Sequence, residues 1–328
     1  MRPEPRQWLA EILDTPFELQ PLPGDASFRR YIRVHLPGGS RILMDAPPDK
    51  EPVGPFLAIH DRLASFSIDV PAIAARDATH GYLLMEDLGG SHLEDLDFAR
   101  EPQPFLAAAA MPAAWLPLPH DDLTDFATLL EYEGTLFSDW LLTRLLELPA
   151  SEVAQAETLI QALNAQVATT PTGFVHRDHH SRNLMVTGGR LVSLDFQDAV
   201  AGPRLYDIAS LLYDSYAAYP DAVREKLWRH FCQAAGLNAD DPCLRLELRL
   251  VAAQRNLKAS GIFARLWLRD GKPRYLASIP NTLNHLQTHL DWLATQPGLP
   301  PPFTQGPALI AAVIARSEAV LPHIGQGA

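Results

Sequence analysis

Cysteine is scarce in this chain, with two residues, Cys232 and Cys243, among 328. Two thiols build no disulfide framework and fit a reducing compartment. Long apolar runs are absent as well. The most apolar stretch, FLAAAAMPAAWLPLP, is broken by three prolines and reads as a loop rather than a membrane span. The opening MRPEPRQWLAEIL has no long apolar run and no small-residue cleavage site, so no secretory leader is expected and the expected location is the cytoplasm. Basic residues are in deficit, 27 Lys and Arg against 39 Asp and Glu, for a net charge of −12. That balance argues against a generic nucleic-acid binder and against adhesion to anionic membranes. A nucleotide is still open to it, because a few local cations, backbone amides or a metal suffice to hold one.

What is present supports a packed core: 47% of residues are hydrophobic and 20% charged. The length corresponds to roughly two domains or lobes at about 150 residues each. There is no internal repeat and no low-complexity tail. Prolines punctuate the chain at Pro47, Pro48, Pro52 and Pro55 and again at Pro112, Pro117 and Pro119. A short amphipathic helix is predicted at the start, with Trp8, Leu9, Ile12 and Leu13 on one face. SFRRYIRVHL, PGGS and RILMDA then read as a hairpin, and GYLLMEDLGG as a further strand. From about Leu123 the apolar spacing turns mostly helical. A β-rich beginning and a helical remainder predict an α+β protein of two lobes, residues 1–88 and 89–328, with a hinge near Met85 to Gly90.

The chemistry concentrates in FVHRDHHSRNLMVTGGRLVSLDFQDA. NLMV and RLVSLDF are short strands separated by TGG, which suits a tight hairpin turn. Folding about Gly188 and Gly189 makes Asn183 and Asp195 neighbours at the open end of that hairpin. Asp178 lies five residues before Asn183 in a polar loop. A carboxylate, an amide oxygen and a second carboxylate are hard oxygen donors, the kind that Mg²⁺ takes together with substrate phosphates. Such a set suits phosphoryl transfer, one Asp accepting the proton of an attacking hydroxyl while the other groups hold metal ions on the phosphates. The spacing H-x-D-x-x-x-x-N, followed twelve residues later by D-F, is shared with kinase catalytic and metal-binding loops.

On these residues the chain resembles the aminoglycoside phosphotransferase/choline kinase family, a branch of the protein-kinase-like fold. The resemblance runs from GDASFRRYIRV through QRNLKASGIFARL. ILMDAPPDKE, LLMEDLG and LDFQDAVAGPRLYDIASLL look closer still to the anomeric sugar kinases of bacterial cell-wall recycling. The resemblance implies a small antiparallel-sheet N-lobe, a larger mainly helical C-lobe, and ATP with Mg²⁺. It implies Asp178 as catalytic base, His176 as support for its loop, Asn183 and Asp195 as metal ligands, and Asp207 as a structural brace. GDASFRRY would cover the phosphates, with Ser27, Phe28, Arg29, Arg30 and Arg33 as ATP contacts, and the backbone of Glu86, Asp87 and Leu88 would meet the adenine. The third strand carries Met44 and Asp45 where the family usually has a Lys or Arg, so the phosphate cation is sought among Arg30, Arg33, Arg29 and Lys50, with no clear helix Glu to pair with it. The acceptor implied is a small amino sugar, N-acetylmuramate or N-acetylglucosamine, phosphorylated at its anomeric hydroxyl by a monomeric protein. Its product would pass to a sugar-1-phosphate nucleotidyltransferase. Glu133, Arg255, Lys258 and Arg265 are the substrate-contact candidates, the cations for a lactyl carboxylate.

Other readings of the same residues stay open. His179 and His180 resemble zinc ligands in isolation, but without a nearby Cys or second His motif they read as solvated loop residues. Trp140, Trp228 and Trp267 lie in helical apolar patterns and read as core rather than sugar-stacking residues. An aminoglycoside or choline-type kinase competes within the family. A metal-dependent phosphohydrolase and a catalytically inactive kinase-like binding module compete from outside it.

Overall fold

A computed structural model describes residues 2–23 and 28–324. Along the chain it forms α1 (Pro5–Ile12), β1 (Glu18–Pro21), β2 (Arg30–Leu36), β3 (Gly39–Asp45), α2 (Gly54–Ser65), β4 (Ile73–Asp77) and β5 (Tyr82–Glu86). Then follow α3 (Pro102–Trp115), α4 (Leu130–Thr135), a π-helical segment (Leu136–Leu145), α5 (Ala150–Val167) and β6 (Thr172–Val175). A hairpin of β7 (Leu184–Thr187) and β8 (Arg190–Ser193) precedes β9 (Val200–Pro203). The chain closes with α6 (Tyr206–Leu212), α7 (Asp221–Ala235), α8 (Pro242–Leu268), α9 (Ile279–Leu293) and α10 (Pro302–Val320). These elements group into two compact units: Met1–Asp95 with Asn183–Asp198, and Leu96–Arg182 with Ala199–Ala328. Where the sequence suggests one cut after residue 88, the chain returns to the first unit for the β7–β8 hairpin. Leu88, Met185 and Val192 form the small apolar cluster that anchors it there.

The first unit is built on a five-stranded antiparallel sheet in the order β1-β2-β3-β5-β4. The β2–β3 hairpin pairs Arg30 with Asp45 and Leu36 with Gly39, so Pro37 and Gly38 make the turn. Alternation along β2 and β3 turns Val34 and Leu43 into a core with Trp8, Leu9, Tyr82 and Leu84. Trp8 stacks on Tyr82 at 5.3 Å, which fixes α1 to the sheet, while Ile12 is left exposed.

The second unit is helical, with one two-stranded sheet, β6 paired antiparallel to β9. Its long helix α8 is buried on every face from Leu250 to Gly261. Gly261 is required where α8 meets the π-helical segment, since a Cβ there would lie 2.3 Å from the Leu136 carbonyl. Among the described residues no helix is long and apolar enough to cross a membrane.

The proline-rich stretch expected to be a loop is helix α3. Pro102 and Pro104 sit in its first turn, where an N–H would have no intrahelical partner in any case. Pro112 is interior and withholds the bond that would normally reach the Ala108 carbonyl. That carbonyl is satisfied from outside the helix, by His179 Nε2 at 2.9 Å.

Candidate active site

In the second unit, β6 delivers the chain into the loop His176–His180. Asp207, in the first turn of α6, accepts from the backbone N–H of His176 at 2.7 Å and of Arg177 at 3.0 Å. Trp115 also hydrogen-bonds Asp207, and its ring stacks on His176 at 5.5 Å. The Asp178 N–H donates to His176 Nδ1 at 3.3 Å, so this histidine is an acceptor on that side. Arg177 takes a left-handed backbone conformation, φ 75°. Clamping both neighbouring N–H groups on one buried carboxylate holds that unfavourable geometry in place. Burial pushes the Asp207 carboxyl up to about 7, against the donors that favour its ionised form.

Asp214 is a second brace that the sequence did not single out. It is buried and accepts from Ser181 N and Tyr216 N, both at 2.8 Å. Burial also raises Asp178, but the groups around it, Lys258 foremost and then His180, Arg177 and His176, outweigh burial and hold its carboxyl below the usual range. The resulting group is a carboxylate, on a rigid loop, able to accept a proton.

A network lies behind this loop. Glu133 is buried and accepts from Arg177 Nη2 at 2.7 Å and Gln254 Nε2 at 2.9 Å. Lys258 Nζ donates to the Tyr206 hydroxyl at 2.8 Å and lies 3.5 Å from Glu133. Glu133 and Lys258 are therefore engaged with the protein, and the surface ion pair that is the ordinary alternative for Glu133 is instead a dry one. Arg265 Nη1 donates to Tyr132 at 2.9 Å. Arg255 differs, being buried with Nη1 lacking a hydrogen-bond partner. His179, expected in solvent, is fully buried against Trp115 and its ring is depressed to about 3 by burial. The reason is the Ala108 carbonyl left over by Pro112.

The first unit contributes a different set. Gly188 and Gly189, with φ 54° and 79°, close the two-residue turn of the β7–β8 hairpin, a backbone that favours glycine at both positions. The register pairs Leu184 with Ser193, and Leu194 N donates to the Asn183 carbonyl at 2.8 Å. Asn183 and Asp195 thus stand side by side at the open end. Asp195 is left-handed at φ 61° and accepts from Gln197 Nε2 at 2.9 Å. Phe196 is buried and packs on Phe56 of α2 at 4.8 Å, which fixes the orientation of Asp195.

Asn183 and Asp195 line a cavity of about 530 Å³ together with Arg29, Glu51, Tyr31 and Met85. Arg29 is buried, its Nε 3.0 Å from Glu51 Oε1 and its guanidinium over the Phe56 ring. This pair places a cation and a carboxylate in the cavity lining, where the third strand offers Met44 and Asp45. Arg30 is paired with Asp45, and Arg33 is paired with Asp87 at 2.6 Å, so neither is among the cavity's lining residues. Lys50 lies over the exposed Phe28 ring at 5.0 Å. Of the adenine-edge candidates, Glu86 holds Arg190 at 3.1 Å, Asp87 also holds Ser40 at 2.7 Å, and Leu88 is in the hairpin's apolar cluster. Ser27 lies outside the described residues.

The donor set fits Mg²⁺. Among the described residues no group of three or more His, Cys, Asp or Glu forms a metal cage. One carboxylate beside one amide oxygen leaves most of an octahedral shell to phosphates and water, which is how Mg²⁺ is usually held.

A braced loop carboxylate in a helical unit, with a second carboxylate and an amide on a hairpin packed to an antiparallel sheet, defines a protein-kinase-like phosphotransferase of α+β class. Residues 18–246 match the phosphotransferase enzyme family known as APH, and the chain belongs to that family. It is 37% identical over 289 residues to an N-acetylmuramate/N-acetylglucosamine kinase of Pseudomonas aeruginosa, covering 83% of this chain and 84% of that one. A kinase of the same name from Pseudomonas putida is 39% identical over 273 residues, 78% of each chain. The fold is shared with a choline/ethanolamine kinase family protein of Mesorhizobium loti at a TM-score of 0.61 and 16% identity, covering 94% of this chain and 98% of that one.

Proposed function

We propose that the chain transfers the γ-phosphate of ATP to the anomeric hydroxyl of N-acetylmuramate or N-acetylglucosamine. The observation that carries this reading is Asp178, a carboxylate kept ionised on a loop braced by Asp207. Asp178 accepts the proton of the attacking hydroxyl as the sugar O–P bond forms and the bond from the γ-phosphorus to ADP breaks. Arg29, oriented by Glu51, binds phosphate oxygens, and Asn183 and Asp195 hold Mg²⁺. When bound, that ion neutralises charge on the transferring phosphates. The names of the relatives support the amino-sugar acceptor.

Arg255 is the cation we assign to the lactyl carboxylate of N-acetylmuramate, since Lys258 is engaged by Tyr206 and Glu133 and Arg265 by Tyr132. An Arg255→Ala variant should raise KM for N-acetylmuramate about tenfold more than for N-acetylglucosamine, the loss of one charge-assisted contact. Equal losses for both sugars would remove that assignment. The reaction itself is tested by phosphorus NMR of the enzyme with Mg-ATP and N-acetylmuramate. A sugar 1-phosphate resonance coupled to the anomeric proton is expected, whereas ADP formation without it would overturn the acceptor.

A further inference from the structure

The second unit contains a cavity of about 250 Å³ to which no residue of the Asp178 loop contributes. Its walls include Tyr213, Arg224, Trp228, Arg245, Arg249 and Thr288. Three guanidinium groups meet there with two carboxylates, Asp221 and Glu225, which makes the cavity locally positive in a chain of net charge −12.

Two of the arginines are already neutralised. Arg224 bonds Asp221 and the Tyr219 carbonyl, and Arg245 grips Glu225 through two bonds of 2.9 and 2.7 Å. Arg249 is held differently. Its guanidinium lies near the faces of Tyr213 and Trp292, 5.6 and 5.8 Å from the ring centroids. Its Nη1 is 3.2 Å from His289 Nδ1, and no carboxylate pairs with it among the described residues. His289 is no counter-charge in either protonation state; burial, and then the field of Arg249, keep its ring neutral, which leaves Nδ1 free to accept. A guanidinium has five N–H donors, and Arg249 gives one of them to this histidine. The aromatic faces fix the plane of the group without discharging it.

We propose that this cavity binds a small phosphate-bearing anion, with Arg249 as its principal contact and Arg224 and Arg245, each paired to a carboxylate, as flanking N–H donors. The planar fork of a guanidinium matches two oxygens of one phosphate. Phosphate is favoured over a metal or a cationic ligand by the sign of the cavity.

Titration calorimetry on the full chain tests this, with Mg-ADP at saturation so that the nucleotide's phosphate contacts are filled, and with chloride holding ionic strength constant. The probes are inorganic phosphate and phenyl phosphate, the second chosen because it carries no sugar and so does not mimic the sugar 1-phosphate product. Saturable binding is expected, weakened about tenfold by Arg249→Gln. Arg224→Gln should weaken it as well, and keeps the test usable if the first variant does not fold. Glu225→Gln removes a competing negative charge and should tighten binding, a change of sign that general damage to the fold does not produce. Tighter binding of phenyl phosphate than of phosphate assigns the organic part to the cavity wall, and equal affinities assign the site to the phosphate group alone. Absence of saturable binding for both probes, or the same affinity in wild type, Arg249→Gln and Arg224→Gln, would overturn the site. Neither readout depends on which sugar the enzyme phosphorylates.

Discussion

In the first unit, some arginines meet their carboxylates near or at the surface: Arg76 and Asp61 are each 51% exposed, and Arg190 reaches Asp69 and Glu86 from a partly exposed strand, while Arg29 is buried against a partly exposed Glu51. In the second, Glu133, Arg177, Lys258 and Asp207 lock one another and the loop backbone largely out of water. Exposed pairs of the first kind are worth about 0–1 kcal/mol each and are readily exchanged for a ligand's charge. Removing one partner from a buried network costs about 3–5 kcal/mol, because an uncompensated charge is left behind. The contrast separates two tasks. On the proposed reading, phosphates meet Arg29 through a pair whose carboxylate, Glu51, is partly open to water, while Asp178 is held beside groups that are buried together with their partners.

The largest expected effect tests that separation directly. Asp178→Asn keeps the loop's hydrogen bonding and removes the base, so kcat should fall by about 10³-fold, within the usual range for general-base catalysis, with KM for ATP unchanged. Arg29→Gln should do the reverse, raising KM for ATP about tenfold, the loss of one charged contact, with a smaller effect on kcat. If steady-state kinetics gave both variants the same pattern, the division of labour between the units would fail.

Next in size is a pH dependence that belongs to the second unit. Burial depresses His179 to about 3, His285 to about 4 and His289 well below its ordinary value. Between pH 6.5 and 4 these rings stay neutral when folded but bind protons when unfolded, so stability is present above that window and is lost as pH falls through it. Asp207, raised to about 7, works the other way by holding a proton that the unfolded chain has released. These three protons against one leave a net of two, a loss of roughly 2.7 kcal/mol per pH unit near pH 5, and His180, also lowered by burial, adds to the same side. Urea unfolding at pH 6.5, 5.5 and 4.5 measures the slope, and His285→Gln should reduce it by about one proton. A slope that did not change in that variant would mean that the buried histidines are not its source.

Several of these residues were legible in the sequence because they lie close together along it. Asp178, Asn183 and Asp195 fall within one short segment, and the paired glycines between the last two announce the hairpin that sets them side by side. The Glu133–Arg177–Gln254–Lys258 network was not legible, since its members come together across 44 and 121 residues. Helix α8 hid its polar members further: buried on every face, it shows no one-sided apolar period to mark which side chains turn inward. In the sequence, Arg29 stands level with Arg30, Arg33 and Lys50 as a phosphate cation. Its partner Glu51 escaped notice because it lies in a proline-flanked turn before α2, outside any helical pattern.

Helix α3 escaped for a related reason, and it supplies the smallest expected effect. An interior proline argues against a helix because the carbonyl four residues back loses its donor. Here His179, from the loop that carries Asp178, provides that donor to Ala108. His179→Phe preserves the packing on Trp115 and leaves the carbonyl buried and unsatisfied, a cost of about 1–3 kcal/mol. Pro112→Ala restores a helical N–H that can bond Ala108 in its place. The double variant should therefore recover most of the stability lost by His179→Phe, and denaturant unfolding of the two single variants and the double one forms the cycle that measures this. Strict additivity would show that proline and histidine are independent. A coupling of about 1 kcal/mol or more would show that the break in α3 and the seating of the Asp178 loop are one feature, by which the second unit fixes its loop through a bond the helix itself cannot make.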